Sequence, residues 1–326
     1  MPKKLILGSD CCGIEAIIFA LKKAKIPFIH KFSCDSDKNV KKSVLANFKP
    51  EIFYDNIFGR DIKNMPYVDL YVCGFPCQPF SLAGKKLGLN DKKNGNIFYE
   101  CIKYIKAHEP KIFILENVKG LLTNDNGKTI EVIKKTLSSL KDYTVDYMLL
   151  NSMDYGLPQN RERIFIVGIR KSISKKALEM PKKHKLKLFM DDIIDKCSDY
   201  PKPDRYKLTT RENKIVTRLR NYYGDIDINI NNTPVIIDVG ASDKFVSHRV
   251  NMSPTLKATR SDYYISNLKR KLSICEALSL QGFPKSFKVV VSDTAIYKQI
   301  GNSISVNVLY YLLKEILSSV KQTHLF

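Results

Sequence analysis

Gly74-Phe75-Pro76-Cys77-Gln78-Pro79-Phe80-Ser81 follows an apolar run, Val68 to Cys73. Together they read as a short buried strand entering a loop punctuated by Gly and Pro. Two prolines restrict the backbone on either side of Cys77 and set it at the strand's carboxyl end, where open α/β sheets keep their chemistry. Free cysteine is among the most buried residue types, so an isolated cysteine reads more simply as core. The surrounding sequence decides between the two.

On the amino-terminal side, Leu5-Ile6-Leu7 is a short strand and Gly8 to Gly13 the loop after it. Ile14, Ile17, Ile18 and Leu21 then recur with helical spacing. Strand, Gly-containing turn and helix open a Rossmann-like unit, whose helix N-terminus faces an anionic ligand group. Phe28 to Phe32 makes a second strand, ending in Ser33-Cys34-Asp35-Ser36-Asp37. An acid about 20 positions beyond the glycine turn is where such folds bind ribose hydroxyls, which selects Asp35, with Asp37 as competitor. Asp55-Asn56-Ile57 follows a strand end at Phe53-Tyr54, and Asp61-Ile62 is a rival for its role.

On the other side, Gly84 to Lys93 is lysine-rich with little periodicity, and a helix begins at Gly95-Asn96-Ile97-Phe98 with Phe98, Cys101, Ile102 and Ile105 on one face. Lys111 to Leu115 is a buried strand ending in Glu116-Asn117-Val118, and Leu121 to Leu140 reads as helix. Thr144 to Leu150 and Ile164 to Ile169 are strands flanking Gly156 to Arg163. Arg161 and Arg163 alternate at a strand start and so project to one face.

The chain has 326 residues, 44% hydrophobic and 27% charged, enough for one large domain and a smaller one. Its 54 Lys+Arg against 33 Asp+Glu, a net +21, favour a polyanionic partner, nucleic acid first, although a charge run is also what a solvated face shows. After Arg170 the chain turns lysine-rich and strand–helix alternation is lost until about residue 270, the natural place for a second domain. The eight cysteines form no CxxC pair and no zinc spacing. Several lie in apolar runs, as reduced cytosolic thiols do. No apolar stretch is long enough for a signal peptide or a membrane span, so a soluble, cytoplasmic protein is expected.

GFPCQPFS resembles the catalytic loop of the DNA cytosine-5 methyltransferases. Further words similar to that family's motifs follow in its order: Glu116-Asn117-Val118, Gln159-Asn160-Arg161-Glu162-Arg163, Leu280-Gln281-Gly282-Phe283-Pro284 and Gln299-Ile300-Gly301-Asn302-Ser303. The resemblance covers residues 5–170 and 268–320. It implies an α/β, Rossmann-like S-adenosylmethionine-dependent methyltransferase fold. The catalytic domain would be 1–185, completed by 290–326, with a target-recognition domain at 186–289. It further implies that Cys11, Cys12, Gly13, Ile14, Asp35, Ser36, Asp55, Asn56, Pro76, Ile97, Asn302 and Ser303 hold S-adenosyl-L-methionine. Gln78, Ser81, Thr255 and Arg260 would contact DNA. The glycine-rich first motif departs from the family: Cys11 stands at its aromatic position, and Glu15 and Ala16 replace its later glycines. Ser36 stands where the family often has Trp, and the chain has none.

Carbon 5 of cytosine is a poor nucleophile, and a thiolate added at carbon 6 makes it an enamine carbon that accepts a methyl group. Cys77 suits that step. Glu116 would exchange a proton with ring nitrogen 3, its pKa raised by burial, and Arg163 with Arg161 would hold the base's carbonyl oxygen. The resemblance thus implies a monomeric DNA cytosine-5 methyltransferase that yields S-adenosyl-L-homocysteine, needs no metal, flips its base out of double-stranded DNA and serves restriction–modification or host or viral DNA marking. A cognate restriction endonuclease would act separately, and no membrane is involved. The alternatives are a tRNA methyltransferase of the same fold, or a silent relative that only binds nucleic acid or cofactor.

Overall fold

The structure, a computed structural model, describes residues 4–76, 97–198, 208–260 and 262–321. Two compact units emerge, one of residues 1–150, 162–182 and 308–326, the other of 151–161 and 183–307. The sequence reading groups residues 290–307 with the catalytic domain, whereas the contacts group them with the second unit.

In the first unit the chain runs β1 (Leu5–Asp10), α1 (Ala16–Lys23), β2 (Phe28–Cys34), α2 (Lys38–Asn47), β3 (Ile52–Tyr54), β4 (Leu70–Gly74), α3 (Ile97–His108), β5 (Ile112–Val118), α4 (Lys128–Leu137), β6 (Tyr143–Asn151) and β7 (Glu162–Arg170). Among the described residues these strands form one sheet in the order β3-β2-β1-β4-β5-β7-β6. β3 through β5 are parallel and β7 lies antiparallel on β5. Strand order reverses between β1 and β4, and the carboxyl ends at such a switch point are where an open sheet leaves a ligand crevice. Both β1 and β4 are almost wholly buried, as central parallel strands must be. Phe98, Cys101, Ile102 and Ile105 of α3 are buried, and they join Tyr71, Phe113 and Leu115 in the main core. One helix is shorter than its pattern suggests: of residues 121–140 only α4 is regular. Asp125 and Asn126 take left-handed φ values of 49° and 52° and interrupt the helical run before Gly127.

The second unit holds α5 (Met190–Lys196), α6 (Thr210–Gly224), β8 (Val235–Asp238), β9 (His248–Val250), β10 (Tyr263–Ile265), β11 (Arg270–Lys271), α7 (Ile274–Leu280) and α8 (Asp293–Asn302). Its sheet is antiparallel, ordered β11-β10-β8-β9, and Ile215, Val216, Leu219 and Tyr223 of α6 pack with β8 residues in a core of their own. α9 (Val306–Ser319) closes the chain, with Val306, Leu309, Leu313, Ile316 and then Val320 buried.

Apolar runs around several cysteines suggest reduced thiols, but in the second unit Cys197, just after α5, and Cys275 in α7 form a disulfide with Cα atoms 5.9 Å apart. The partners are 78 residues apart, so no spacing rule could pair them. Among the described residues no helix is long and apolar enough to cross a membrane.

Candidate active site

β1 runs into a loop in which three of five residues have left-handed backbone. Cys11, Gly13 and Glu15 all have positive φ, at 45°, 51° and 56°. Only glycine takes this conformation freely; each other residue there costs about 1–2 kcal/mol. The loop is fastened to the end of β2: the Cys12 amide donates to Cys34 O at 3.0 Å and the Gly13 amide to Asp35 Oδ2 at 3.1 Å. Asp35 also accepts from the Asp37 amide at 3.0 Å, and its own amide donates to Tyr54 O. Burial pushes the Asp35 carboxyl up, only partly offset by those two amides. Asp37, its sequence rival, instead caps α2 by accepting from the Asn39 amide. Ser36 beside it is exposed.

The position of Gly13's missing side chain meets nothing within 4 Å. An open backbone turn at a helix N-terminus, with a carboxylate at the end of the neighbouring strand, fits a nucleoside carrying a charged amino-acid tail. The residues present therefore suit S-adenosyl-L-methionine. Ile14 is buried behind the turn, and Cys11 and Cys12 line it half-buried. Burial pushes the Cys12 thiol well up. Cys11 hydrogen-bonds to Cys73, which pulls its pKa down, but burial and neighbouring charge leave the thiol raised. Both lining thiols thus stay protonated and neutral.

Arg60 stands out although no motif marks it. It makes paired 2.7 Å bonds to the fully buried Asp10 at the end of β1, and its Nε donates to Ile57 O. Tyr71 of β4 gives Asp10 a third bond at 2.6 Å. This anchors segment 55–61, which carries the expected cofactor contacts Asp55 and Asn56 and their rival Asp61, to the central strands. Within it Asp55 is exposed and paired with Lys41, while Asn56 accepts from the Phe58 amide. Asp61 accepts from Asn64.

Glu116 lies within β5, opposite Gly74 of β4 in parallel register. Its side chain is 9% exposed and stands 3.2 Å from Arg163 Nε. Burial pushes the Arg163 guanidinium down, opposed by the charge of Glu116. Next door, Asn117 Nδ2 donates to Phe75 O at 2.8 Å, holding the end of β5 to the backbone leading into Pro76. Pro76 is exposed, and Ile97 is half-buried at the start of α3. Cys77, Gln78 and Ser81 lie outside the described residues, as does Gly84 to Lys93.

Arg161 does not share a strand face with Arg163, which corrects the alternation argument: β7 begins only at Glu162. Its guanidinium is buried in the second unit and donates to Leu256 O, Gly301 O and Ser303 O. Two separated segments, at Leu256 and at Gly301 to Ser303, thereby converge on one side chain. Gln159 joins them by bonding Leu280 O and the Leu256 amide, and Gln281 by bonding Ile300 O. A Cβ on Gly301 would lie 2.3 Å from the Ala258 nitrogen, so the close approach demands glycine. Asn302 is exposed and Ser303 is buried, its hydroxyl on Ile304 O. Of the expected DNA contacts, Thr255 donates its hydroxyl to Asn160 O and Arg260 pairs with buried Asp238 at 2.6 Å. No group of His, Cys, Asp or Glu among the described residues is placed to hold a metal ion.

A sheet ordered 3-2-1-4-5 with an acid at the end of β2 and an antiparallel strand beside β5 defines the class of Rossmann-like methyltransferases. Residues 9–318 match the C-5 cytosine-specific DNA methylases, and the chain belongs to that family. It is 36% identical over 305 residues to the Type II methyltransferase M1.ScrFI of Lactococcus lactis subsp. cremoris, covering 90% of this chain and 73% of that one. It is 32% identical over 327 residues to M.HhaI of Haemophilus parahaemolyticus, covering 96% and 91%. Among solved structures, the Entamoeba histolytica methyltransferase EhMeth shares the fold at a TM-score of 0.68, 16% identity, and coverage of 97% and 98%.

Proposed function

We propose that this chain methylates carbon 5 of a cytosine flipped out of duplex DNA, through Cys77, Glu116 and Arg163. The observation that carries the reading is the buried Glu116–Arg163 pair beside β4, the strand whose continuation is Cys77. S-adenosyl-L-methionine supplies the methyl group and leaves as S-adenosyl-L-homocysteine. The Cys77 thiolate bonds to carbon 6, and the electrons of the 5,6 double bond pass into the ring. Glu116 exchanges a proton with ring nitrogen 3 as charge develops there, and Arg163, which keeps that carboxyl group in place, also holds the base's carbonyl oxygen. Once carbon 5 carries the methyl group, its proton is lost to a base, the carbon–sulfur bond breaks to release the Cys77 thiolate and the 5,6 double bond returns.

A stacked base cannot enter this chemistry, so the nucleotide must be extruded. The net charge of +21 and the exposed Arg211, Lys214, Arg218 and Arg220 of α6 support a grip on phosphates. Asp35, the 11–14 turn, segment 55–57 and Ile97 support the donor site. The named relatives are Type II methyltransferases, which favours a modification role beside a separate restriction endonuclease. Cys77→Ser is expected to abolish methyl transfer while retaining DNA binding. Wild-type enzyme should form a denaturation-resistant adduct with duplex DNA carrying 5-fluorocytosine, seen as a gel shift. An active serine variant would overturn the nucleophile, and incorporation into tRNA but not duplex DNA would overturn the substrate.

A further inference from the structure

The turn after β1 contains a residue that its own conformation should exclude. Glu15 has φ 56°, a glycine-like value, and its side chain is completely buried at the N-cap of α1. Its Oε1 accepts from Ser9 of β1 at 2.5 Å and from Ser33 of β2 at 2.5 Å. His30 Nε2 lies 3.4 Å from the same oxygen and 2.8 Å from Ser33 Oγ. The carboxylate thus lies under the turn, bridging two adjacent strands just before they end. On the side of the turn that Gly13 leaves open, Asp35 holds the same backbone through the Gly13 amide. The turn is pinned from below by Glu15 and at its rim by Asp35.

We propose that Glu15 is a positioning residue for the methyl donor: its buried carboxylate, held by Ser9 and Ser33, sets the left-handed turn that presents Gly13 and Ile14 to the ligand. This rests on the donor-site reading above. A glycine takes such a turn freely but does not hold it, because its φ is unconstrained. Glu15 does the converse, holding an unfavourable conformation by accepting hydrogen bonds from two buried hydroxyls.

Glu15→Gly separates this role from mere tolerance of strain, because glycine relieves the backbone. If Glu15 is only tolerated, the variant should bind donor as well as wild type or better. If it positions the turn, equilibrium dialysis with S-adenosyl-L-methionine and with S-adenosyl-L-homocysteine should show binding weakened by about tenfold or more, with kcat at saturating donor within about threefold and KM for DNA unchanged. Glu15→Gln, which keeps one acceptor oxygen, should recover part of the loss. Should Glu15→Gly fail to fold, Ser9→Ala combined with Ser33→Ala removes both donors from the carboxylate and should weaken binding in the same direction. Unchanged ligand affinity in the folded variants, or a fall in kcat with affinity intact, would overturn the proposal. Wild-type protein that binds neither ligand would instead overturn the donor site itself.

Discussion

Asp35 shows how much one carboxylate is asked to do. It accepts two backbone amides, from Gly13 and Asp37, and so ties the β1 turn to the end of β2, and it is the candidate acceptor for the donor's ribose hydroxyls. Burial is the larger influence on it and raises its pKa above the ordinary aspartate value. The sign of the consequence follows. Hydroxyl and amide donors favour the ionised form, so donor affinity is complete above that raised pKa and falls as the pH drops through it. The fall should begin at a higher pH than an ordinary aspartate would give. Titrating the dissociation constant of S-adenosyl-L-homocysteine from pH 7.5 downward checks this, and Asp35→Asn should bind weakly and without that inflection. Arg161 makes a contrasting case. A Gln-x-Arg-x-Arg word suggests two equivalent arginines, yet one is spent on three carbonyls and the other faces Glu116. Which arginine does which is set by where β7 starts, one residue after Arg161.

At the scale of elements, α6 was hidden by composition but not by chemistry. The basic run through Arg220 has no strand–helix alternation, yet Thr209 and Glu212 have the spacing of a capping box. In the structure Thr209 Oγ1 accepts from the Glu212 amide, and Glu212 Oε2 accepts from the Thr209 amide at 2.7 Å. Glu212 Oε1 also pairs with Lys271 of β11, so the cap fixes the helix to the small sheet. Thr209→Ala should cost about 1 kcal/mol of stability in denaturant unfolding, with donor binding unchanged. The elements around β1, β4 and β5 were legible because buried parallel strands are continuous apolar runs. The helix expected over 121–140 was overextended because apolar spacing continues through residues whose backbone leaves helical values at Asp125 and Asn126.

At the scale of the molecule, the disulfide between Cys197 and Cys275 closes a loop with a sequence separation of 78 residues in the second unit. Closing a long loop restricts the unfolded chain, a contribution of about 2–4 kcal/mol. Reduction with dithiothreitol, or Cys197→Ser, should lower the midpoint of unfolding, and the Cys197→Ser protein should show no further response to reductant, whereas Cys34→Ser, which keeps the bridge, should respond as wild type does. The sequence by itself determined the family and most of the strands and helices of the first unit, and it singled out Cys77, Glu116, Arg163 and Asp35 as candidates for the chemistry and for donor recognition. Those signals are local: a motif at a strand end carries its own context within a few residues. Only the tertiary structure decided that Glu15 is buried between Ser9 and Ser33, that Arg60 locks onto Asp10 and that Cys197 meets Cys275. Each is a contact between side chains from separate elements, set by how strands register and helices pack, which no single stretch of the chain contains.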